Sequence, residues 1–235
     1  KIFMNKKTIT LLLPTLNEVV GFKAIFPKID TNLFDKILVI DGGSTDGTVE
    51  YAKSHNLHLV TQKEKGLGPA VMEAISIIET DCVIEFSLDG NCLVEQLPMI
   101  VENLHRGDDL VVVSRYLPPA VSYDDTFVTA FGNKMFTFFI GLLGQFNPTD
   151  TLTIYRGFDI KIAKYPEFKK FLYGPVFEPL ISAVAINRGL KISEIPGDEP
   201  ARIGGTSKMS VIYNGLCIVL CIIRMYVLKI FKLMV

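Results

Sequence analysis

Apolar and polar positions fall in short alternating blocks through the first half of the chain. Runs such as Ile9-Thr10-Leu11-Leu12-Leu13 and Ile37-Leu38-Val39 are bounded by turn residues and read as buried strands. Between them, apolar residues recur at helical spacing, as in Val19, Val20, Phe22 and Ile25. The pattern predicts strand 8–13, helix 18–29, strand 36–41, helix 47–55, strand 57–61, helix 68–79, strand 82–86, helix 93–105 and strand 109–114. This alternation argues for an α/β, Rossmann-like, mostly parallel sheet flanked by helices.

The rhythm breaks near Leu117-Pro118-Pro119. A helix over roughly 125–143 carries Phe127, Phe131, Met135, Phe138 and Phe139, and core packing is the expectation for them. Another helix opens at Phe177-Glu178 and ends at Arg188-Gly189-Leu190, with a strand over 190–195 behind it. The segment 210–235 is a helix candidate with Asn214, Cys217, Cys221, Arg224, Lys229 and Lys232 on one face and apolar residues elsewhere. Its unbroken apolar part, 215–223, spans only about 14 Å against a hydrocarbon core of about 30 Å. An Arg at the bilayer centre costs about 2.5–3.5 kcal/mol. The expectation is therefore a basic amphipathic helix in a membrane interface. A tilted span and a dimer helix are its rivals, so a homo-oligomer stays open.

The 235 residues suffice for one large domain. A net charge of −1 gives no global field for nucleic acid. After Glu199 the chain has no acidic residue but keeps Arg202, Lys208, Arg224, Lys229 and Lys232, which suits an anionic partner. Hydrophobic residues make up 49% of the chain, high for a soluble protein. No N-terminal stretch reads as a signal peptide. Cys82, Cys92, Cys217 and Cys221 lack zinc-site spacing and read as packed thiols of a cytoplasmic protein.

The chemistry gathers where strands end. Ile40-Asp41-Gly42-Gly43-Ser44-Thr45-Asp46-Gly47-Thr48 is a tight turn into a helix, with Gly42 and Gly43 allowing close approach of a ligand. A carboxylate there suits a sugar hydroxyl or a base N–H. The preceding strand ends in Pro14-Thr15-Leu16-Asn17-Glu18. Pro14 is expected to stop its ladder and Asn17 to cap the next helix. Strand 82–86 leads into Ser87-Leu88-Asp89-Gly90-Asn91. Further on come Gly66-Leu67-Gly68-Pro69-Ala70, Ser114-Arg115-Tyr116, Asn147-Pro148-Thr149-Asp150-Thr151 with Arg156, and Arg202-Ile203-Gly204-Gly205-Thr206-Ser207-Lys208.

In this order and spacing the segments resemble glycosyltransferase family 2, and within it the dolichyl- or polyprenyl-phosphate sugar synthase branch. The resemblance implies a GT-A fold over 4–208, with a nucleotide-binding half of about 4–116 and an acceptor half of about 117–208. It implies that Pro14, Thr15, Asn17, Glu18, Asp41 and Ser44 hold the nucleotide of a UDP-, GDP- or CDP-sugar, with Lys65 and Gly68 near its phosphates. Asp89 and Asn91 would hold Mg²⁺ or Mn²⁺, although Ser87 stands where the family has a first Asp. Arg115, Arg202, Ser207 and Lys208 would grip the donor or acceptor phosphate. Glu178 falls where many members carry a catalytic carboxylate. The implied reaction is inverting transfer of a sugar to a polyprenyl phosphate at the cytoplasmic membrane face, through the surface of 209–235. A hydroxyl acceptor on a glycolipid or polysaccharide intermediate, with Glu178 as base, is the runner-up. A catalytically silent nucleotide binder is the third reading.

Overall fold

In the computed structural model, residues 6–203 and 210–233 are described. Among these residues seven strands form one sheet: β1 (Ile9–Thr15), β2 (Lys36–Asp41), β3 (His58–Thr61), β4 (Cys82–Glu85), β5 (Leu110–Ser114), β6 (Arg156–Asp159) and β7 (Ile192–Pro196). Their order is β3-β2-β1-β4-β6-β5-β7, parallel except for β6, which runs antiparallel to both neighbours. The expected sheet is therefore present, with one reversed strand that no apolar run announces. Arg156-Gly157-Phe158-Asp159 holds one large apolar residue, and Gly157 is there because a Cβ would collide with Ile100.

Among the described residues eight α-helices flank the sheet: α1 (Val19–Ile25), α2 (Thr48–Ser54), α3 (Leu67–Ile77), α4 (Leu97–His105), α5 (Phe127–Gly141), α6 (Pro166–Phe171), α7 (Phe177–Asn187) and α8 (Val211–Leu233). One face of the sheet is covered by α1, α2 and α4, through Phe22, Ile25, Ala52, Leu97, Ile100 and Leu104. The other face carries α3 and α5 to α8, a larger core that includes Phe168, Phe177, Leu180, Ile181 and Met225.

Pro14 does not stop its strand. β1 pairs with β2 as far as Thr15↔Asp41, while its pairing with β4 ends at Leu12↔Glu85. The Leu12 carbonyl accepts from Phe86 N at 3.0 Å, so that edge of β1 faces β4. Pro14, two residues on, turns its missing N–H to the same side, where no ladder remains to be broken.

Two helices depart from expectation in the same way. The Phe-rich helix forms, but Phe127, Phe131 and Phe138 are 87%, 62% and 61% exposed, and only Thr137 and Ile140 on α5 are buried. On α8, the face expected to be polar points inward. Cys217 and Cys221 are buried in the core beside Ile218, Ile222 and Met225. The Arg224 guanidinium lies 4.5 Å from the Tyr173 ring centroid. Lys229 Nζ donates to the carbonyls of Leu142 and Leu143, at 3.2 and 2.9 Å. Leu216, Leu220, Ile223, Ile230 and Phe231 face outward instead. The cations find ring and carbonyl partners inside, so the wheel's charged stripe does not mark the outer face.

Candidate active site at the carboxyl ends of the strands

The turns after β1 and β2 are laced together. Asp41 is 1% exposed and organises its own turn: Oδ2 accepts from Gly43 N and Ser44 N, and Oδ1 from the Ser44 hydroxyl at 2.5 Å. Asn17, at φ +56°, does not cap α1. Its side chain accepts from Thr45 N and its backbone N donates to Ser44 Oγ, both at 2.8 Å. The start of α1 is satisfied from the second turn, with Val19 N donating to Asp46 Oδ2 and Glu18 N to Thr48 Oγ1. Hydrogen bonds from Thr48 and Val19 hold the Asp46 carboxyl below its ordinary range against the opposing pull of partial burial. Sequence periodicity gives no hint of this lacing, because Asp46 and Thr48 serve a helix about 27 residues earlier. The structure thus joins Asn17, Glu18, Asp41 and Ser44 at one rim, with Pro14 and Thr15 at the β1 end. Asp41 shapes the rim through these bonds.

The turn after β4 sits beside it. Gly21 of α1 lies so close under Leu88 that a Cβ there would strike the Leu88 carbonyl. Ser87, Asp89 and Asn91 are all at least nine-tenths buried as residues. Asp89 Oδ1 accepts from Asn91 N at 3.1 Å, and Asp89 Oδ2 meets Arg202 Nη1 at 3.1 Å. Gly90, at φ +95°, leaves room for Ile203, whose N donates to the Asp89 carbonyl at 2.6 Å. The arm carrying Arg202 is thus docked on the Asp89 turn. Ser207 and Lys208 lie outside the described residues. Asn91 Oδ1 is buried with no hydrogen-bond partner among the described residues. A carboxylate and an unpartnered amide oxygen are hard donors of the kind Mg²⁺ and Mn²⁺ take, so these residues fit the implied ion.

Other expected residues separate. Lys65 is exposed just before α3, while Gly68 is buried, where a Cβ would press on the Gly174 carbonyl at 3.0 Å. Gly68 is therefore a packing residue. Arg115 is not a free anion grip. Its Nε and Nη2 meet Asp150 at 2.7 and 3.1 Å, and Nη1 meets Glu199 at 3.5 Å. Burial opposes the guanidinium charge, but Asp150 keeps Arg115 above its ordinary value, and Asp150 is correspondingly lowered. Asp150 also accepts from Leu152 N and Thr153 N, so the Asn147–Thr151 segment is a scaffold loop.

Glu178, at the start of α7, is 8% exposed and lies over a second buried carboxyl, Glu85 of β4, which is fully buried. Arg156 lies opposite Glu85 in register, and its charge acts on both carboxyls. Its guanidinium donates to the carbonyls of Thr151, Thr153 and Glu178 and to Ser182 Oγ. Neither Glu85 oxygen nor Glu178 Oε1 has a hydrogen-bond partner among the described residues. Burial raises both carboxyls, Glu85 further through the nearby Glu178. Glu178 therefore belongs to a buried polar layer under α7. Sequence reading missed Glu85, because a lone Glu in the apolar run Cys82–Phe86 carries no motif.

A family model for glycosyl transferase family 2 matches residues 5–165. The chain is 29% identical over 192 residues to glycosyltransferase AglJ of Haloferax volcanii, covering 80% of this chain and 61% of that protein's length. It is 24% identical over 217 residues to the UDP-N-acetylglucosamine–dolichyl-phosphate N-acetylglucosaminyltransferase of Methanococcus voltae, covering 82% of this chain and 86% of the relative. Among solved structures, glucosyl-3-phosphoglycerate synthase of Mycobacterium tuberculosis, in complex with Mn²⁺, UDP and phosphoglyceric acid, has a TM-score of 0.68 at 19% identity. That match covers 95% of this chain and 78% of the other and establishes a shared GT-A fold.

Proposed function

The chain belongs to glycosyl transferase family 2, and from that premise we propose that it moves a sugar from a nucleotide-sugar to a polyprenyl phosphate at a membrane surface. The observation that carries the acceptor class is the outer face of α5 and α8. From Thr126 to Thr149, and beyond Glu199, the chain has no acidic residue. Phe127, Val128, Phe131, Leu216, Leu220 and Ile223 lie exposed on these two helices, which pack against each other. Such a face suits the headgroup region of an anionic bilayer, where a lipid phosphate is found. The dolichyl-phosphate acceptor in the name of the Methanococcus relative supports the same class. The four cysteines are free, in keeping with a site on the cytoplasmic side.

The laced turns after β1 and β2 form the nucleotide rim, with Pro14, Thr15, Asn17, Glu18 and Ser44 around the base and ribose. Asp89 and Asn91 hold the divalent ion, which when bound neutralises the donor diphosphate. Lys65 and Arg202, with Ser207 and Lys208 of the same arm, supply cationic and hydroxyl donors for phosphate. The acceptor phosphate is already an anion and needs no base to attack the anomeric carbon opposite the leaving group, which inverts that centre. Glu178, buried against Arg156, fits this reading better than a base for a hydroxyl acceptor. Arg115 fixes the walls of the site through Asp150.

The protein is to be given UDP-, GDP- and CDP-sugars with Mn²⁺ or Mg²⁺, with and without a short polyprenyl phosphate. Nucleotide release from one donor, dependent on the lipid, is the expected result. Release indifferent to the lipid moves the acceptor elsewhere, and no release from any donor removes the transferase reading. Membrane contact has its own check. Burying one Phe ring contributes about 1.5–3 kcal/mol. The pair Phe127→Glu and Phe131→Glu should therefore cut co-sedimentation with anionic phospholipid vesicles by about tenfold or more, with an unchanged melting curve.

A further inference from the structure

The reading above places a divalent ion at Asp89 and Asn91, and on that basis we infer that Asp124 is a further ligand of the ion and that Arg202 holds its place until it binds. Asp124 lies in the connection between β5 and α5, outside every motif read from the sequence. Its Oδ2 accepts from Asn91 Nδ2 at 3.1 Å and from Arg202 Nε at 3.2 Å. The same guanidinium reaches Asp89 Oδ2 through Nη1 at 3.1 Å. One cation therefore bridges two carboxylates that belong to different segments.

Asp124 is held there from both sides. Tyr116 OH donates to Asp125, and Tyr123 N donates to the Glu199 carbonyl at 2.8 Å. Ser122 also donates to the Glu199 carboxylate. The 117–126 connection and the 197–203 arm thus form a paired unit that delivers Asp124 and Arg202 to the Asp89 turn together.

Two observations favour a metal ion over a permanent ion pair. Asn91, 8% exposed, donates its side-chain N–H to Asp124 and its backbone N–H to Asp89, and keeps Oδ1 buried without a partner among the described residues. No described donor, the Arg202 guanidinium included, reaches that acceptor, whereas a hard cation would take it. Charge agrees: one guanidinium only half neutralises the two carboxylates, whereas a divalent ion in its place would match them. Among the described residues no group of three His, Cys, Asp or Glu side chains could hold a metal ion, so the donor set inferred here is a mixed one of two carboxylates and one amide oxygen. With the two carboxylates engaged by an ion, the Arg202 fork would be free for a phosphate, which it can also meet bidentately.

The test is Mn²⁺ binding to the full chain in detergent, read by loss of the free-Mn²⁺ electron paramagnetic resonance signal, alone and with UDP or GDP. Asp124→Asn keeps the shape of the side chain and should weaken Mn²⁺ binding by about tenfold or more. Arg202→Gln removes the competing cation and should tighten it by roughly two- to fivefold in the absence of nucleotide. Glu102→Gln, exposed on α4, should change nothing. Equal Mn²⁺ affinity in wild type and Asp124→Asn overturns the inference and leaves the metal at Asp89 intact. Weaker binding in Arg202→Gln overturns the place-holding role. No Mn²⁺ binding by the wild type under any condition overturns both this inference and the metal-dependent reading it rests on.

Discussion

Replacing Asp89 with alanine lowers sugar transfer by about 10²–10³-fold, the usual loss when one preorganised electrostatic group is removed from a charged transition state. Asp89 is the one carboxylate in the turn after β4, and its oxygens hold both the Asn91 backbone and the Arg202 guanidinium. Alanine removes the anchor of the ion and sets the arm free in one change. The fold should survive, because what is lost is a turn hydrogen bond worth about 1 kcal/mol and a partly exposed ion pair. For a domain of this size that is a fall in Tm of about 2–4 °C per kcal/mol. The check is donor release at saturating lipid together with a melting curve. A variant that keeps more than a tenth of wild-type turnover, or that unfolds, contradicts the assignment.

The order of strands and helices in the first half was legible because each element has its own apolar run and its own turn residues. Asp89, Asn91 and Arg202 were expected from the family resemblance of their motifs, and the structure brings Asp89 into contact with the other two. What escaped has one physical cause: it depends on contacts between distant segments. β6 is short and carries Arg and Gly in place of an apolar run, so only its position between β4 and β5 makes it a strand. Asp46 and Thr48 satisfy the start of α1 from the next turn. Asp124 becomes part of the site only when its loop pairs with the 197–203 arm.

The two surface helices show the same limit from the other side. Helical spacing located α5 and α8, yet it could not say which stripe faces the protein. Apolar residues cover most of α8, and its inward stripe is chosen by fit: the thiols of Cys217 and Cys221 pack in the core, while Arg224 and Lys229 meet a ring and carbonyl oxygens. Hydrophobicity alone favours the opposite arrangement. The pairing of Arg115 escaped for a related reason, since its carboxylate partners, Asp150 and Glu199, lie 35 and 84 residues away.

Arg156→Met destabilises the protein by about 3–5 kcal/mol, the combined cost of leaving buried acceptors unsatisfied and of removing the cation near two buried carboxyls. At about 2–4 °C per kcal/mol this is a fall in Tm of roughly 10 °C. Arg156 is fully buried, and its loss leaves the carbonyls of Thr151, Thr153 and Glu178 unsatisfied and Glu85 and Glu178 without their nearby cation. The pH dependence fixes the cause. Burial first, and the neighbouring Glu178 second, raise the Glu85 carboxyl above its unfolded value, so the folded state holds that proton more tightly. Its stabilising effect is complete below the unfolded carboxyl value of about 4.3 and is lost as pH rises through the folded value. Glu85→Gln keeps the shape and removes that loss. Urea unfolding should show the Gln variant gaining on wild type from pH 5 to pH 8. Glu178, raised in the same direction, leaves part of the slope in place. Combined with Arg156→Met, Glu85→Gln should recover part of the deficit, because one fewer carboxyl then faces the interior without a cation. Parallel stability curves for wild type and Glu85→Gln, or strict additivity in the double variant, mean that Arg156 acts only through its carbonyl hydrogen bonds.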